Sequence, residues 1–364
     1  MFSLLRIRVI RKESFKYKHL IEKRREGTMS KQKVIIIACI LLSLILVGAI
    51  TSIHYQVAPK GITVTDDFGR NVTLNGVPAR IISLSPSNTE ILFAIGAGDR
   101  VVGVTEYCNY PPAAKTRPKV GGVSTVSIEK VVALNPDIVI GCSINGKDTF
   151  ERLEELGIPI LGLNPKNISG ILADIKLVGR VTGEERNATD LVAAIDSRLD
   201  AIRAKARAMR GSQQAAAPTV FYDIGGFYTA GNDTFVNEII ETAGGRNIAA
   251  DKTGYFQMSI EELIAKNPQV IICDRGMGSM SKAYEEIVSD DRLKIVDAVR
   301  NNRVYLIDGD IIDRPGPRIV NAAETVYGYL SEFHNIKVKE EGPANATATA
   351  TITTTPPMPL QASP

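Results

Sequence analysis

The 364-residue chain has no tryptophan and only three histidines, and this scarcity excludes several kinds of catalytic site. His19 and His54 precede the region where strands and helices are predicted, and His334 lies near its end. A Ser-His-Asp triad or a His-rich zinc site needs histidine inside the folded domain. The phosphate-binding pattern G-x-x-x-x-G-K-[ST] and the hydrolase pattern G-x-S-x-G are also absent. We therefore predict that the protein is not an enzyme and has no cofactor or metal of its own.

Cysteine is scarce too, and its four positions contain no C-x-x-C pair, which excludes a zinc knuckle or a thioredoxin-like motif. Cys39 lies in an apolar run, and Cys108, Cys142 and Cys273 follow it. An exported protein can form a disulfide between Cys108 and Cys142. We prefer the interpretation that these cysteines are buried free thiols.

Positive charge is concentrated at the N-terminus. Residues 1–33 hold eleven Lys or Arg and three Glu, whereas the whole chain has a net charge of only +3, so the remainder is mildly acidic. This distribution argues against a nucleic-acid partner, because the basic residues form one short block.

A twenty-residue run without charge, "VIIIACILLSLILVGAITSI" (34–53), follows the basic block and is long enough to cross a bilayer as a helix. Lysines directly before it predict that residue 1 stays in the cytoplasm and that the rest is exported. We favour an uncleaved membrane anchor over a cleaved signal peptide. Two further alternatives stay open: a start at Met29, and lipidation of Cys39 in the lipobox-like "IIAC".

Between the termini, β-branched runs alternate with helical patterns, which predicts an α/β fold with mainly parallel sheets flanked by helices. The predicted strands are 80–85, 100–105, 137–142, 158–163, 219–224, 269–274 and 303–308. The Thr- and Pro-rich segment 343–364 has the composition of a disordered tail. N-x-S/T sequons occur at Asn71, Asn167, Asn187, Asn232 and Asn345, and they matter only in a host that glycosylates exported proteins.

An internal repeat is the most informative feature. "SIEKVVALNPDIVI" (127–140) and "SIEELIAKNPQVII" (259–272) match at an offset of 132 residues. "EILFAIGAG" (90–98) likewise parallels "EIIETAGG" (238–245). The repeat predicts two similar lobes. Each S-I-E begins a helix with serine as N-cap, and Ser259 and Glu262 have capping-box spacing.

A long amphipathic segment separates the two copies, with apolar residues at helical spacing and no proline. It predicts one rigid helix joining the lobes. The predicted organisation is therefore an N-lobe at 62–183, a connecting helix at 184–211 and a C-lobe at 217–335.

Loops rich in aromatic residues, Arg and Gly follow the predicted strands, at the strand ends where open α/β sheets bind ligands. The loops are "EYCNYPP" (106–112), "GGVST" (121–125), "GGFYTAG" (225–231), "TGYFQ" (253–257), "RGMGSM" (275–280) and "DGDIIDRPGPR" (308–318). Tyr107, Tyr228 and Tyr255 offer ring faces to a flat ligand or phenolate oxygens to iron. Arg275 and Arg314 suit carboxylates or phosphates.

The run 80–112, "RIISLSPSNTEILFAIGAGDRVVGVTEYCNYPP", resembles the cobalamin and iron-siderophore solute-binding family of ATP-binding-cassette (ABC) importers. The first repeat copy and "DRPGPRIVNAAETV" (313–326) continue the resemblance in family order, over about residues 62–334. It implies two lobes rigidly joined by a long helix, with the ligand between them.

The resemblance also implies roles for particular residues. Glu129 and Glu261, one in each repeat copy, match the surface glutamates that dock to permease arginines. Tyr107, Tyr228 and Tyr255, with Asp310 and Arg314, match the ligand-binding loops. The chain departs from the cobalamin-binding pattern where tryptophans are replaced, one near Val123 and one by Tyr255.

We therefore expect an extracytoplasmic protein that captures a metal chelate, either a corrinoid or a ferric siderophore, and delivers it to an ABC permease dimer. The alternative from another class is a membrane-anchored receptor or cell-envelope domain without a transport role. The sequence leaves the choice of ligand open.

Overall fold

The computed structural model describes residues 61–211, 216–276 and 282–341. Before residue 61 it describes only Gln32, Ile35, Ile36, Cys39, Ile40, Leu42 and Ser43, which are helical. Contacts divide the chain after Lys60 into two units, and all the sheets described below belong to the second. Within the described residues, no helix combines the length and the apolar character needed to span a membrane. Most of the predicted basic segment 1–33 and of the span 34–53, and the whole tail 343–364, lie outside the described residues.

The first half of the second unit, residues 61–183, is built on four parallel strands that follow an antiparallel pair. The pair is β1 (Ile62–Thr65) and β2 (Asn71–Leu74). The parallel strands are β3 (Ile81–Ser83), β4 (Val101–Val104), β5 (Ile138–Cys142) and β6 (Ile160–Leu163), ordered β4-β3-β5-β6. The helices are α1 (Pro86–Ala94), α2 (Ile128–Ala133), α3 (Lys147–Glu155) and α4 (Ile168–Thr182). Strands β3 and β6 are buried at every position, as expected of parallel strands covered on both faces.

Helix α5 (Glu185–Gly211) leads into the second half, residues 216–341. The strands there are β7 (Thr219–Asp223), β8 (Tyr228–Ala230), β9 (Arg246–Asn247), β10 (Tyr255–Gln257), β11 (Val270–Asp274) and β12 (Val304–Ile307). The helices are α6 (Phe235–Thr242), α7 (Ile260–Lys266), α8 (Ala283–Ser289), α9 (Asp297–Arg300), α10 (Gly309–Ile312) and α11 (Ile319–Glu341). Short 3-10 helices lie at Gly98–Arg100, Pro112–Thr116, Ser143–Asn145 and Asp291–Ile295.

The two parallel sheets have the same topology. The second sheet is ordered β12-β11-β7-β9 with parallel pairing, and β8 pairs with β10 in a separate antiparallel ribbon. Numbered within each half along the chain, both parallel sheets read 2-1-3-4. This agreement is what the sequence repeat predicts, and the prediction of an α/β fold with parallel sheets flanked by helices is confirmed.

The repeated S-I-E segments begin helices as predicted. Ser127 Oγ accepts from the backbone N–H of Lys130 at 3.3 Å, and Ser259 Oγ accepts from that of Glu262 at 3.1 Å. The reciprocal half of the capping box does not form at Ser259, because Lys252 Nζ holds both oxygens of the Glu262 carboxylate at 2.8 and 2.9 Å.

Helix α5 packs on both α4 and α11 and ties the halves into one core. Its buried residues Val192, Ile195, Leu199 and Ile202 recur every three or four positions, which gives the helix one continuous apolar stripe. They belong to a hydrophobic cluster that runs from Val64 to Phe333 and contains strands of both parallel sheets. A second, smaller cluster lies within each half.

The cysteines of the described region carry free thiols. Cys108 and Cys273 are buried and Cys142 is half-buried, which agrees with the preferred interpretation from the sequence. The Thr89 hydroxyl donates to Cys108 Sγ at 3.1 Å, so this thiol is held as part of the packed interior.

Candidate functional site

The carboxyl ends of the central strands define the candidate site. In each parallel sheet the first and third strands lie side by side, β3 with β5 and β7 with β11, while the second strand lies on the far side of the first. The chain therefore leaves these neighbouring strands in opposite directions, which opens a crevice where ligands of α/β proteins bind.

Two of the predicted tyrosines meet on the ribbon of β8 and β10. Tyr228 pairs with Gln257, and Tyr255 pairs with Ala230, so the two tyrosines are diagonal neighbours. The Tyr228 hydroxyl donates to the backbone carbonyl of Tyr255 at 3.1 Å. Both residues keep about two fifths of their surface exposed, 43% for Tyr228 and 40% for Tyr255. The structure thus brings together two aromatic side chains with ring surface available to a ligand.

A tight turn places Tyr228 at the start of its strand. Gly225, Gly226 and Phe227 all have positive φ, of 134°, 61° and 63°. Glycine adopts such angles freely, whereas Phe227 does so at a cost of about 1–2 kcal/mol. The Gln257 side chain donates to the Gly226 carbonyl at 2.8 Å, and the Met258 N–H donates to the Phe227 carbonyl at 2.9 Å. These bonds from β10 and the residue after it hold the turn in place.

Several buried or partly buried carboxyl groups lie in the second half, near the strands that carry these tyrosines. The Tyr222 hydroxyl donates to Asp313 Oδ1 at 2.6 Å. Burial raises the pKa of Asp313 to about 8, and the nearby charge of Asp274 adds to the effect. Burial also raises the pKa of Asp223, at the end of β7, to about 7. These acids hold protons near neutral pH, so they can donate hydrogen bonds as well as accept them.

The phenol of Tyr255 stays neutral for the same physical reason. Burial raises its pKa above the usual range, and the charges of Asp313 and Asp233 reinforce the shift. The Tyr255 phenol is therefore protonated at neutral pH. Among the described residues, no group of three His, Cys, Asp or Glu side chains is arranged to hold a metal ion.

A buried ionic network joins the two halves beside this site. Arg314 Nη1 donates to Glu90 at 3.0 Å and to Asn109 at 2.7 Å, and Arg314 Nη2 donates to Asp310 at 2.5 Å. Arg318 binds both oxygens of Glu90, at 2.6 and 2.8 Å, and Asn109 Nδ2 donates to Asp310 at 2.7 Å. We call these five residues the junction cluster. Glu90 and Asn109 belong to the first half, and the other three belong to the second.

The junction cluster gives two predicted ligand residues another role. The Arg314 side chain is only 5% exposed, and protein acceptors already hold its guanidinium. Asp310 is bound by both Arg314 and Asn109. For either residue, contact with a ligand would replace a contact between the halves.

The remaining predicted residues lie apart from one another. Tyr107 is exposed and lies two residues before Asn109, in the loop that reaches the second half. Arg275 is exposed after β11, close enough to Tyr329 for its charge to act on the pKa of that phenol. Residues 277–281, which include most of the predicted loop 275–280, lie outside the described part of the chain.

The glutamates predicted to dock to a permease occupy equivalent positions. Glu129 in α2 and Glu261 in α7 are both exposed in the first turn of their helices. The Ser127 hydroxyl donates to Glu129 at 3.0 Å. Backbone and Ser127 hydrogen bonds lower the pKa of Glu129, so this side chain is charged at neutral pH.

A groove of about 710 Å³ lies elsewhere, between α4, α5 and α6. Its lining includes charges of both signs, among them Lys176, Asp196, Arg203 and Glu241. None of the predicted ligand residues lines it, so it is distinct from the site at the strand ends.

Sequence analysis missed Glu90, Asn109, Arg318 and Asp313. Glu90 had a recognisable signal, since it is an acid directly before the apolar run 91–95, "ILFAI".

Comparisons with known proteins agree with this architecture. The family model described as "Periplasmic binding protein" matches residues 81–311. An uncharacterised ABC transporter substrate-binding lipoprotein of Bacillus subtilis is 35% identical over 270 residues, which is 72% of this chain and 83% of that protein. A cobalamin-binding protein of Halobacterium salinarum is 31% identical over 284 residues, 76% of this chain and 75% of that protein.

Solved structures of binding proteins also match the fold of this chain. A periplasmic heme-binding protein from Roseiflexus, determined in its apo form, superimposes with a TM-score of 0.61 at 28% identity. The superposition covers 70% of this chain and 98% of that protein.

Proposed function

The chain belongs to the periplasmic binding protein family, and on that basis we propose that it captures a corrinoid outside the cytoplasm and delivers it to an ABC permease. Members of this family bind a solute for transport and do not convert it, in agreement with the prediction that the protein is not an enzyme. The relatives favour transport over the alternative of a receptor without a transport role.

The observation that supports a corrinoid best is the exposed pair Tyr228 and Tyr255 at the carboxyl ends of the second sheet. A corrin ring is broad and nearly flat, and aromatic faces pack well on such a surface. Its rim carries amide groups that both donate and accept hydrogen bonds. Carboxyls that hold protons near pH 7, as Asp223 and Asp313 do, can serve both kinds of partner.

We keep the ligand contacts of the sequence analysis and propose a role for each. Tyr107, Tyr228 and Tyr255 contribute ring surface. Asp310 and Arg314 close the site as members of the junction cluster. The cobalamin-binding relative at 31% identity is consistent with this assignment.

A ferric chelate such as heme is the second candidate. The heme-binding protein of similar structure favours it, and so does the exposed guanidinium of Arg275, which suits the carboxylates of such a ligand. The cobalamin-binding relative is more similar to this chain in sequence, at 31% identity against 28%, and this is why the corrinoid stands first.

Delivery requires docking and retention at the membrane. We assign docking to Glu129 and Glu261, which are exposed at equivalent places in the two repeat copies. We assign retention to the segment 34–53, as an uncleaved anchor. Lipidation at Cys39 is the alternative that the lipoprotein relative favours, and the mass of the mature N-terminal peptide distinguishes the two.

Calorimetry on the exported part, residues 54–364, tests the ligand. Cyanocobalamin, cobinamide, heme and a ferric siderophore are titrated separately, and the recovered ligand is checked for chemical change. We expect tight binding of the corrinoids without conversion. If only heme or the siderophore releases heat on titration, the ligand is a ferric chelate and not a corrinoid. Chemical conversion of any ligand would contradict the binding-protein function.

A further inference from the structure

Each helix that carries a docking glutamate packs against a short helical segment with an exposed aliphatic residue at its C-terminal end. Leu156 is 55% exposed in the first half, and Ile295 is 63% exposed in the second. Single exposed aliphatic residues are ordinary on protein surfaces. These two are distinctive because each accompanies one docking glutamate, although they lie outside the repeated sequence segments.

In the first half, α2 packs on α3, and four residues of these two segments are grouped as follows. Glu129 and the exposed Val132 are three residues apart on α2, and Arg152 and Leu156 are four apart at the end of α3. Residues at these spacings share a helix face. The positive charge of Arg152 also reaches Glu129 and contributes to the lowered pKa of that carboxyl. We call these four residues the first patch.

In the second half, the 3-10 helix Asp291–Ile295 packs on α7 in the corresponding way. Arg292 and Ile295 are three residues apart, and residues so spaced lie directly above one another in a 3-10 helix. The charge of Glu261 acts on Arg292 and contributes to its raised pKa. Glu261, Arg292 and Ile295 form the second patch.

Each arginine is held by an acid of its own segment. Arg292 pairs with Asp290 at 2.6 Å, and Arg152 pairs with Glu155 at 3.5 Å. Throughout the described residues, no ion pair involves Glu129 or Glu261. The glutamates therefore keep their charge available to a partner, while the arginines lie next to them with little freedom to neutralise them.

Ion pairs alone cannot fix such a contact. Pairs that remain exposed contribute little to affinity, because water and salt screen them. They become strong when apolar side chains around them exclude water from the contact. Leu156 and Ile295 are placed to do this for Glu129 and Glu261.

We propose that the two patches are the contact points for the permease dimer, with Leu156, supported by Val132, and Ile295 as apolar anchors that exclude water from the Glu129 and Glu261 ion pairs. The partner is a two-fold symmetric membrane protein that offers a basic residue beside an apolar hollow at each contact. This inference rests on the proposed function and adds to it which side chains make the docking stable.

The two patches differ in the number of exposed apolar side chains that they contain. At the repeat offset of 132 residues, Val132 corresponds to Ile264, which is partly buried against the core of the second half. The first patch therefore has two exposed anchors and the second has one. We infer that loss of Ile295, the single anchor of its patch, weakens docking more than loss of Leu156, because Val132 remains in the first patch.

Photocrosslinking in cells that make the full-length chain tests the contacts directly. A benzophenone side chain is introduced in place of Leu156, Ile295, Glu129 or Val77, one position at a time, and crosslinked proteins are identified by mass spectrometry. Val77 is 57% exposed, comparable to Leu156, but lies between β2 and β3. We expect probes at 156 and 295 to capture the same integral membrane subunit of an importer, and the probe at 77 not to do so.

A second substitution tests whether the two patches act on one partner. With the probe at position 295, the substitution Leu156→Ser is expected to lower the crosslinking yield about tenfold, since it removes an anchor of the same complex. Val77→Ser is the matched control and should leave the yield unchanged.

The outcomes separate this inference from the proposed function. If the probe at 129 captures a permease subunit but those at 156 and 295 do not, docking stands and the apolar anchors are wrong. If none of the three captures a permease subunit, the proposed function fails as well. An unchanged yield in Leu156→Ser would overturn the joint action of the patches.

Discussion

At Asp174, on α4, a carboxyl group lies 3% exposed with Oδ2 lacking a hydrogen-bond partner. Burial raises its pKa from 3.8 to about 8, and the charge of Asp67 adds to the shift. The folded protein therefore retains a proton that the unfolded chain releases. Because the native state binds more protons between pH 3.8 and 8, this group lowers the stability of the fold as the pH rises through that range.

We predict that Asp174→Asn stabilises the protein at alkaline pH. The amide cannot ionise and can still donate to Asp67, so Tm should rise by at least about 2 °C at pH 8.5 and by clearly less at pH 5, where most of the cost has not yet accumulated. Calorimetric melting at both values measures this. Asp196→Asn, on the exposed surface of α5, is the control, and an equal gain at both pH values would contradict the explanation by ionisation.

Glu90 lies at the centre of the junction cluster, with Arg314 and Arg318 both bound to it. Removing one partner of a buried ion pair leaves the other charge without compensation, which costs about 3–5 kcal/mol. We therefore predict a loss of that size in the free energy of unfolding of Glu90→Gln, measured by urea denaturation.

The matched comparison for this substitution is Glu151→Gln. Glu151 pairs with Lys147 at 3.1 Å, and both side chains are largely exposed. Its loss should change the free energy of unfolding by less than about 1 kcal/mol. If both variants lose equally little, the junction cluster does not stabilise the fold.

The ribbon of β8 and β10 is the element on which ligand choice depends. We predict that Tyr228→Phe and Tyr255→Phe keep corrinoid affinity within about threefold, because the ring surface remains. Tyr228→Leu should weaken binding about tenfold through loss of aromatic packing. Calorimetric titration with cyanocobalamin measures both. A large loss in the Phe variants would indicate that the phenol oxygens, rather than the ring faces, bind the ligand.

Strong local patterns made many elements predictable from the sequence. Each of the seven predicted strand segments contains a parallel strand, because buried β-branched runs and flanking turn residues mark them clearly. Sequence analysis did not predict the two-residue β9 and the short strands β8 and β10, whose pairing depends on distant partners, and it also missed the hairpin strands β1 and β2. The repeat was recognisable because each copy contains a cap, a helix and a buried strand in one run.

The site was only partly predictable for a related reason. The exposure of Tyr228 and Tyr255 was predictable from the polar segments around them, but the structure places both on the short strands β8 and β10 and not in loops. The contacts of Glu90 with Arg314 and Arg318 join residues 224 and 228 positions apart, and no local pattern indicates such a pairing. The sequence therefore presents Arg314 as a free ligand residue, whereas in the structure its guanidinium donates to protein acceptors.

The shared hydrophobic cluster has a consequence for the whole molecule. Because α5 and strands of both sheets contribute to one core, the halves should unfold together. We predict a single calorimetric transition for residues 54–364, displaced to higher temperature by a bound ligand. Two resolved transitions would show that the halves are energetically independent.

The junction cluster also constrains how such a protein can be recombined. The equivalent sheets invite chimaeras in which one half is exchanged for that of a relative, with a crossover in the connecting helix. Such a crossover would separate Glu90 from Arg314 and Arg318 and would bury unmatched charge in the hybrid. We expect viable chimaeras to inherit the acid and both arginines from one parent, so these three residues behave as one heritable unit despite their distance along the gene.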